Sequence, residues 1–225
     1  MIRALMDLCG EKGTLLMPTF QDRPAEVFRV SETKSDCGII SELFWRMPGV
    51  RRSLHPSHSA AAWGDRADWI ASAHEEGRTA LGVDSPFDRL AALGGHVLLL
   101  GVGQERNSMV HVGEAHAGAA YLPVPYSPEF ARPVAVENRN GRAFRMRIEE
   151  CPGCSENFGV VGERLQSKGQ LQEGKVGNAD SALMFGQDVI RCVGELLAED
   201  PACLLCRQPA CPFCPEARQV LSAGQ

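Results

Sequence analysis

An eight-residue run, HVLLLGVG at residues 96–103, constrains this chain most. Its apolar residues do not alternate with polar ones, which is the pattern of a central strand covered on both faces. Helices must then lie above and below it, and helical spacing does flank it. DSPFDRLAALGG precedes it with Asp84 or Ser85 as N-cap and Pro86 at the first helical position. QERNSMVHVGEAHAG follows as a loop and a short helix. Further helices are expected at residues 2–8, at GIISELFWRM, along SAAAWGDRADWIASAHEEG and along DSALMFGQDVIRCVGELLAED. Strands are expected at GTLLMPTF, AYLPV and RAFRMRIEE. Strands alternating with helices define a layered α/β fold.

The 225 residues suffice for one large core. A net charge of −5 leaves no basic surplus to neutralise phosphates, so nucleic acid is not an expected partner. The opening MIRALMDLCGEKG has no apolar signal-peptide region, and no run approaches the length of a membrane span. The expected location is the cytoplasm, where nine cysteines serve as thiols or metal ligands rather than disulfides.

Three stretches carry candidate chemistry. RNSMVHVGEAH lies just past the end of the expected central strand, where open α/β sheets place ligand crevices. His111 and Glu114 stand three apart on its helix and face one way, so the carboxylate can fix the imidazole tautomer that a general base needs. A solvated helix face gives the same spacing. GVGQERN lacks the third glycine of a dinucleotide loop, which excludes a Rossmann cofactor site.

RRSLHPSHSAAAWG brings His55, His58 and three serines together. Two histidines three apart, with no cysteine or acid beside them, make a poor zinc site. The G-x-S-x-G elbow of a nucleophilic serine is absent. A ligand-binding loop remains, with Ser57 or Ser59 capping an alanine-rich helix, against the plainer reading of a capped helix with surface histidines. In the tail, Cys203, Cys206, Cys211 and Cys214 form two C-x-x-C pairs, each half of a structural zinc site. The CPGC at residues 151–154 is a third pair able to replace either one, and a thiol-rich tail without metal is the simpler alternative.

Taken in order, five segments resemble the aminoglycoside 3-N-acetyltransferase family of antibiotic acetyltransferases. They are GTLLMPTF; GIISELFWRMPGVRRSLHPSHSAAAWG, with R-S-x-H-P-x-x-S at residues 52–59; DSPFDRL; VLLLGVG with NSMVHVGE; and GKVGNADSALM. The resemblance implies a three-layer α/β/α sandwich around a mixed sheet over residues 1–200, with residues 201–225 a separate Cys-rich tail. It implies acetyl transfer from acetyl-coenzyme A to an amine of an aminoglycoside or similar small molecule, by direct attack without an acyl-enzyme. His111 matches the family's catalytic histidine and Glu114 its accompanying acid. Ser53, His55 and Ser59, with Asn107 and Ser108, match the segments that build the donor and substrate cleft. Family members carry a strand and a serine loop ahead of the segment matching Met1, so the chain is expected to lack them, through a late-called start or a true truncation. Two rival functions stay open at this point: a non-catalytic relative using a zinc-bound tail for interaction, and a thioester hydrolase in which His111 activates water.

Overall fold

A computed structural model describes residues 1–23, 25–77, 79–124, 132–147 and 152–223. They hold eight α-helices and nine strands, arranged as three separate three-stranded sheets. The chain divides into two compact units, one of residues 1–80, 84–86 and 128–149, the other of 81–83, 87–127 and 150–225.

In the first unit, α1 (Ile2–Cys9) leads into β1 (Thr14–Pro18), which pairs antiparallel with β4 (Ala60–Gly64). On its other side β4 pairs antiparallel with β3 (Arg51–Arg52). The core under this sheet is Met6, Met17, Phe44, Trp45, Val50 and Ala61, with α2 (Ile39–Trp45) supplying the two aromatic rings. The second sheet is the mixed one. β2 (Val27–Arg29) runs parallel to β6 (Val134–Glu137), which pairs antiparallel with β7 (Ala143–Met146). Phe28, Val30, Val134, Val136 and Met146 fill its own small core.

The alanine run corrects the sequence reading. Residues 60–64 are a strand, and helix α3 is limited to Ala67–Ala71. Alanine favours helices in isolation, but here it occupies the middle strand of a sheet. Ala60, Ala61 and Ala62 are fully buried there, so tertiary burial overrides the local preference.

In the second unit, β5 (His96–Leu100) pairs with β9 (Ala179–Phe185), and β9 pairs with β8 (Leu171–Val176), all antiparallel. β5 was expected at the centre of a sheet but is an edge strand among the described residues. Leu99 is buried while His96 and Leu98 are exposed, so an apolar run did not mean two covered faces. The expected long helix from residue 180 is instead β9 followed by α7 (Gly186–Glu199). A two-residue turn at Gly177 and Asn178, with Gly177 at φ 62°, joins β8 to β9 and commits residues 179–185 to the hairpin. Residues 120–124 form turns rather than the expected strand, and residues 148–150 of the RAFRMRIEE strand lie outside the described residues.

Helices α4 (Pro86–Ala92, from Phe87 on), α5 (Met109–His116) and α6 (Gly159–Ser167) complete this unit with α8 (Cys214–Ala223). α5 lies against α7 at Gly113, where a Cβ would stand 2.6 Å from Val193 Cβ. Only glycine permits that approach, which fixes the height of α5 and of the His111 and Glu114 side chains it carries.

Candidate active site

α5 begins shortly after β5, and Asn107 organises its start. The Asn107 side-chain oxygen accepts the Met109 N–H at 3.2 Å, while its amide donates to Gln104 Oε1 at 2.8 Å. Asn107 is therefore a buried brace of the helix entry, and Ser108 beside it is half-buried. On the first turns of the helix, His111 Nδ1 lies 2.6 Å from Glu114 Oε2. Glu114 is 3% exposed, and its second carboxylate oxygen accepts the Tyr121 hydroxyl at 2.7 Å. Burial, then the charge of Glu114, raise the tyrosine's ionisation far above its usual range, so the phenol remains a donor.

The consequence is a fixed tautomer. With Nδ1–H donating to the carboxylate, the lone pair of a neutral ring sits on Nε2, which has no protein partner among the described residues. Phe158 holds the ring from the side, with centroids 4.8 Å apart in an edge-on arrangement. The imidazole keeps 11% of its side chain exposed, whereas that of Glu114 is buried. Sequence reasoning found the dyad but missed both Tyr121, which sits in a turn, and Phe158, which comes from a distant segment. An open groove in this unit, lined by Gly103, Gln104, Glu163 and Asp180 among others, includes neither dyad residue.

Ser53, His55 and Ser59 come together in the first unit, all buried. Ser53 Oγ accepts the Ala60 N–H and pairs with His74 Nδ1 at 2.8 Å. His55 Nδ1 accepts the His58 N–H at 3.1 Å, and its ring lies 4.7 Å from that of His74. Ser59 Oγ donates to Thr19 O at 2.8 Å. Arg52 completes the frame, donating to Thr19 Oγ1, Thr19 O and Ser59 Oγ against the rings of Trp45 and Phe28. Burial lowers its pKa to about 10, which leaves it charged at neutral pH. These groups brace the loop at residues 53–59 between β3 and β4. No helix follows it directly, so Ser57 and Ser59 cap none.

The thiols converge in the second unit. Ligand atoms of Cys154, Cys206, Cys211 and Cys214 all lie within 4.8 Å of one another. Cys154 stands where the sequence reading put Cys203. Cys203 is not among these four; its N–H closes a turn onto Asp200 O, and its carbonyl accepts from Asn157 Nδ2. Burial pushes the Cys154 thiol up to about 12. Cys211 is held at about 7 against its burial by N–H groups of Cys214 and Phe213 and by neighbouring thiols.

A buried carboxylate that orients a histidine with one open nitrogen, on a helix of a mixed α/β protein, is an arrangement able to accept and return a proton. The chain belongs to the aminoglycoside 3-N-acetyltransferase family, whose model matches residues 1–198. It is 33% identical over 213 residues to aminoglycoside N(3)-acetyltransferase IV of Salmonella sp, covering 91% of this chain and 76% of that protein. Identity to aminoglycoside N(3)-acetyltransferase VII of Streptomyces paromomycinus is also 33%, over 84% of this chain and 75% of that protein. Its fold matches a histidine-to-alanine mutant of aminoglycoside acetyltransferase AAC(3)-IVa in complex with a gentamicin, with a TM-score of 0.82 at 33% identity, over 97% of this chain and 82% of the other.

Proposed function

We propose that the chain acetylates an amino group of an aminoglycoside or similar amine, with acetyl-coenzyme A as donor and His111 as general base. The carrying observation is the 2.6 Å contact between His111 Nδ1 and Glu114 Oε2, which leaves Nε2 as the nitrogen able to take a proton. The neutral amine attacks the thioester carbonyl carbon, and His111 Nε2 accepts the proton the nitrogen gives up. As the C–N bond is made the C–S bond breaks, and the departing thiolate takes the proton back from the imidazolium. Glu114 stabilises that cation while it exists. Amide and free coenzyme A result, with no acyl-enzyme. Holding both reactants side by side supplies much of the rate.

The buried frame of Ser53, His55 and Ser59 gives the loop at 53–59 a fixed shape as a binding wall, and Asn107 and Ser108 serve the same purpose ahead of α5. The layered sandwich implied by the family belongs to this reading too, as does a cytoplasmic location. The test is His111→Ala, with release of coenzyme A thiol measured in the presence of an aminoglycoside. A loss of about 10²-fold or more is expected, with the thermal transition kept. Unchanged turnover removes His111 from the chemistry. Free acetate released without any amine would replace transfer by hydrolysis.

A further inference from the structure

The dyad makes no use of the four thiols that meet at residues 154, 206, 211 and 214. We propose that Cys154, Cys206, Cys211 and Cys214 bind one zinc ion as a closed tetrathiolate site, clasping the segment ahead of α6 to the C-terminal segment.

The geometry of the cluster fits this ion. A tetrahedral zinc with Zn–S bonds of about 2.3 Å sets its sulfurs about 3.8 Å apart. These four ligand atoms lie within 4.8 Å of one another, so small side-chain movements close the site. All four thiols are free of disulfide bonds. Four soft ligands with no open position are the donor set of a structural zinc rather than a catalytic one.

The surroundings are built for thiolates. The N–H of Glu156 points at Cys154 Sγ at 3.5 Å, that of Cys206 at Cys214 Sγ at 3.2 Å, and that of Cys214 at Cys211 Sγ at 3.4 Å. Such outer contacts orient ligands and spread their charge. Cys214 opens the ten-residue α8, whose N-terminus favours a negative sulfur. One turn on, Arg218 donates to Leu205 O at 2.7 Å and brings a positive group beside a site of net charge −2. A patch of filler thiols requires neither the aimed N–H groups nor the arginine.

The position of the clasp gives it a consequence. Three ligands lie beyond residue 198, where the family match ends. Cys154 precedes by four residues Phe158, the ring that flanks His111. Cys214 follows Phe213, whose ring stands 6.1 Å from Tyr121, the donor to Glu114. Gly153 packs against that same Phe213 ring, where a Cβ would come within 2.4 Å. Both supports of the dyad are thus tied to the ligands, and the metal acts as a positioning element that touches no reactant.

The full chain is purified without chelator and its zinc measured by elemental analysis; about one per chain is expected. Cobalt exchanged into the same protein should give the sulfur-to-metal charge-transfer and visible bands of a tetrahedral tetrathiolate. Cys154→Ser should lose the metal, while Cys203→Ser should retain it. Native protein that takes up neither zinc nor cobalt overturns the proposal, as does a cobalt spectrum with fewer than four thiolates. Metal retained by Cys154→Ser and lost by Cys203→Ser overturns it as well. Should Cys154→Ser fail to fold, the cobalt spectrum of the unaltered chain still decides. None of these readouts depends on acetyl transfer, so the metal site and the proposed function can fail separately.

Discussion

Tyr121 donates to Glu114 Oε1 at 2.7 Å on the same carboxylate whose Oε2 holds His111 Nδ1 at 2.6 Å. The tyrosine is 1% exposed, so no water can easily take its place. Tyr121→Phe leaves one oxygen of a buried carboxylate without its partner, at a cost of about 1–3 kcal/mol in urea unfolding. The freed carboxylate orients His111 less well, and kcat should fall about tenfold, the equivalent of ~1.4 kcal/mol, with little change in KM. Full activity together with full stability would show that the phenol plays no part in holding the dyad.

Glu114→Gln keeps the shape of the side chain and removes its charge. In the proposed proton transfer the imidazolium would lose its counter-ion, and an amide N–H turned toward Nδ1 would impose the wrong tautomer. Turnover is expected to drop about 10²–10⁴-fold while the circular dichroism spectrum is unchanged. A drop as small as that of Tyr121→Phe would mean the carboxylate only packs.

The dyad was legible in the sequence because both members lie on one eight-residue helix, where a spacing of three places side chains on the same face. Its supports were not. Tyr121 belongs to a turn, and Phe158 arrives through a contact 47 residues along the chain, which no local period encodes. The alanine run misled because helix propensity is a local preference, and burial in a middle strand overrides it. The β8–β9 hairpin had a readable signal in the Gly177–Asn178 turn, and the helix expected from residue 180 took in the residues of its second strand. Of the thiols, Cys206, Cys211 and Cys214 were visible from spacing. The choice between Cys154 and Cys203 depends on how a segment before α6 meets the tail, and that is tertiary information.

Gly113 lies between the two dyad residues, and its missing side chain admits Val193. Gly113→Ala places a methyl group 2.6 Å from Val193 Cβ, so α5 and α7 must separate. Overpacking of this kind costs about 1–3 kcal/mol, well above what alanine gains in helix propensity. Pairing with Val193→Ala removes the Cγ methyls at 2.9 and 3.0 Å but keeps the Cβ at 2.6 Å, so only part of the loss should return. A wild-type thermal midpoint for the single variant would show that the helices adjust freely here.

His55 makes the protein sensitive to acid in a predictable direction. Burial, followed by the neighbouring His74 and His58 rings, holds its pKa well below 6.5. Its Nδ1 accepts the backbone N–H of His58, so the native fold takes the neutral ring. Once unfolded, the same histidine binds a proton below about pH 6.5. The unfolded state then carries more protons than the native one, and stability falls as the pH drops. The contribution is complete above about pH 6.5 and is lost below it at up to about 1.4 kcal/mol per pH unit. His55→Asn retains a side-chain acceptor near Nδ1 and cannot titrate. Urea midpoints measured from about pH 7.5 to about pH 5, a window spanning the unfolded histidine's titration, should therefore decline less steeply in that variant, from a lower starting value. Equal slopes would mean that the native ring protonates as readily as the unfolded one, which the burial of His55 forbids.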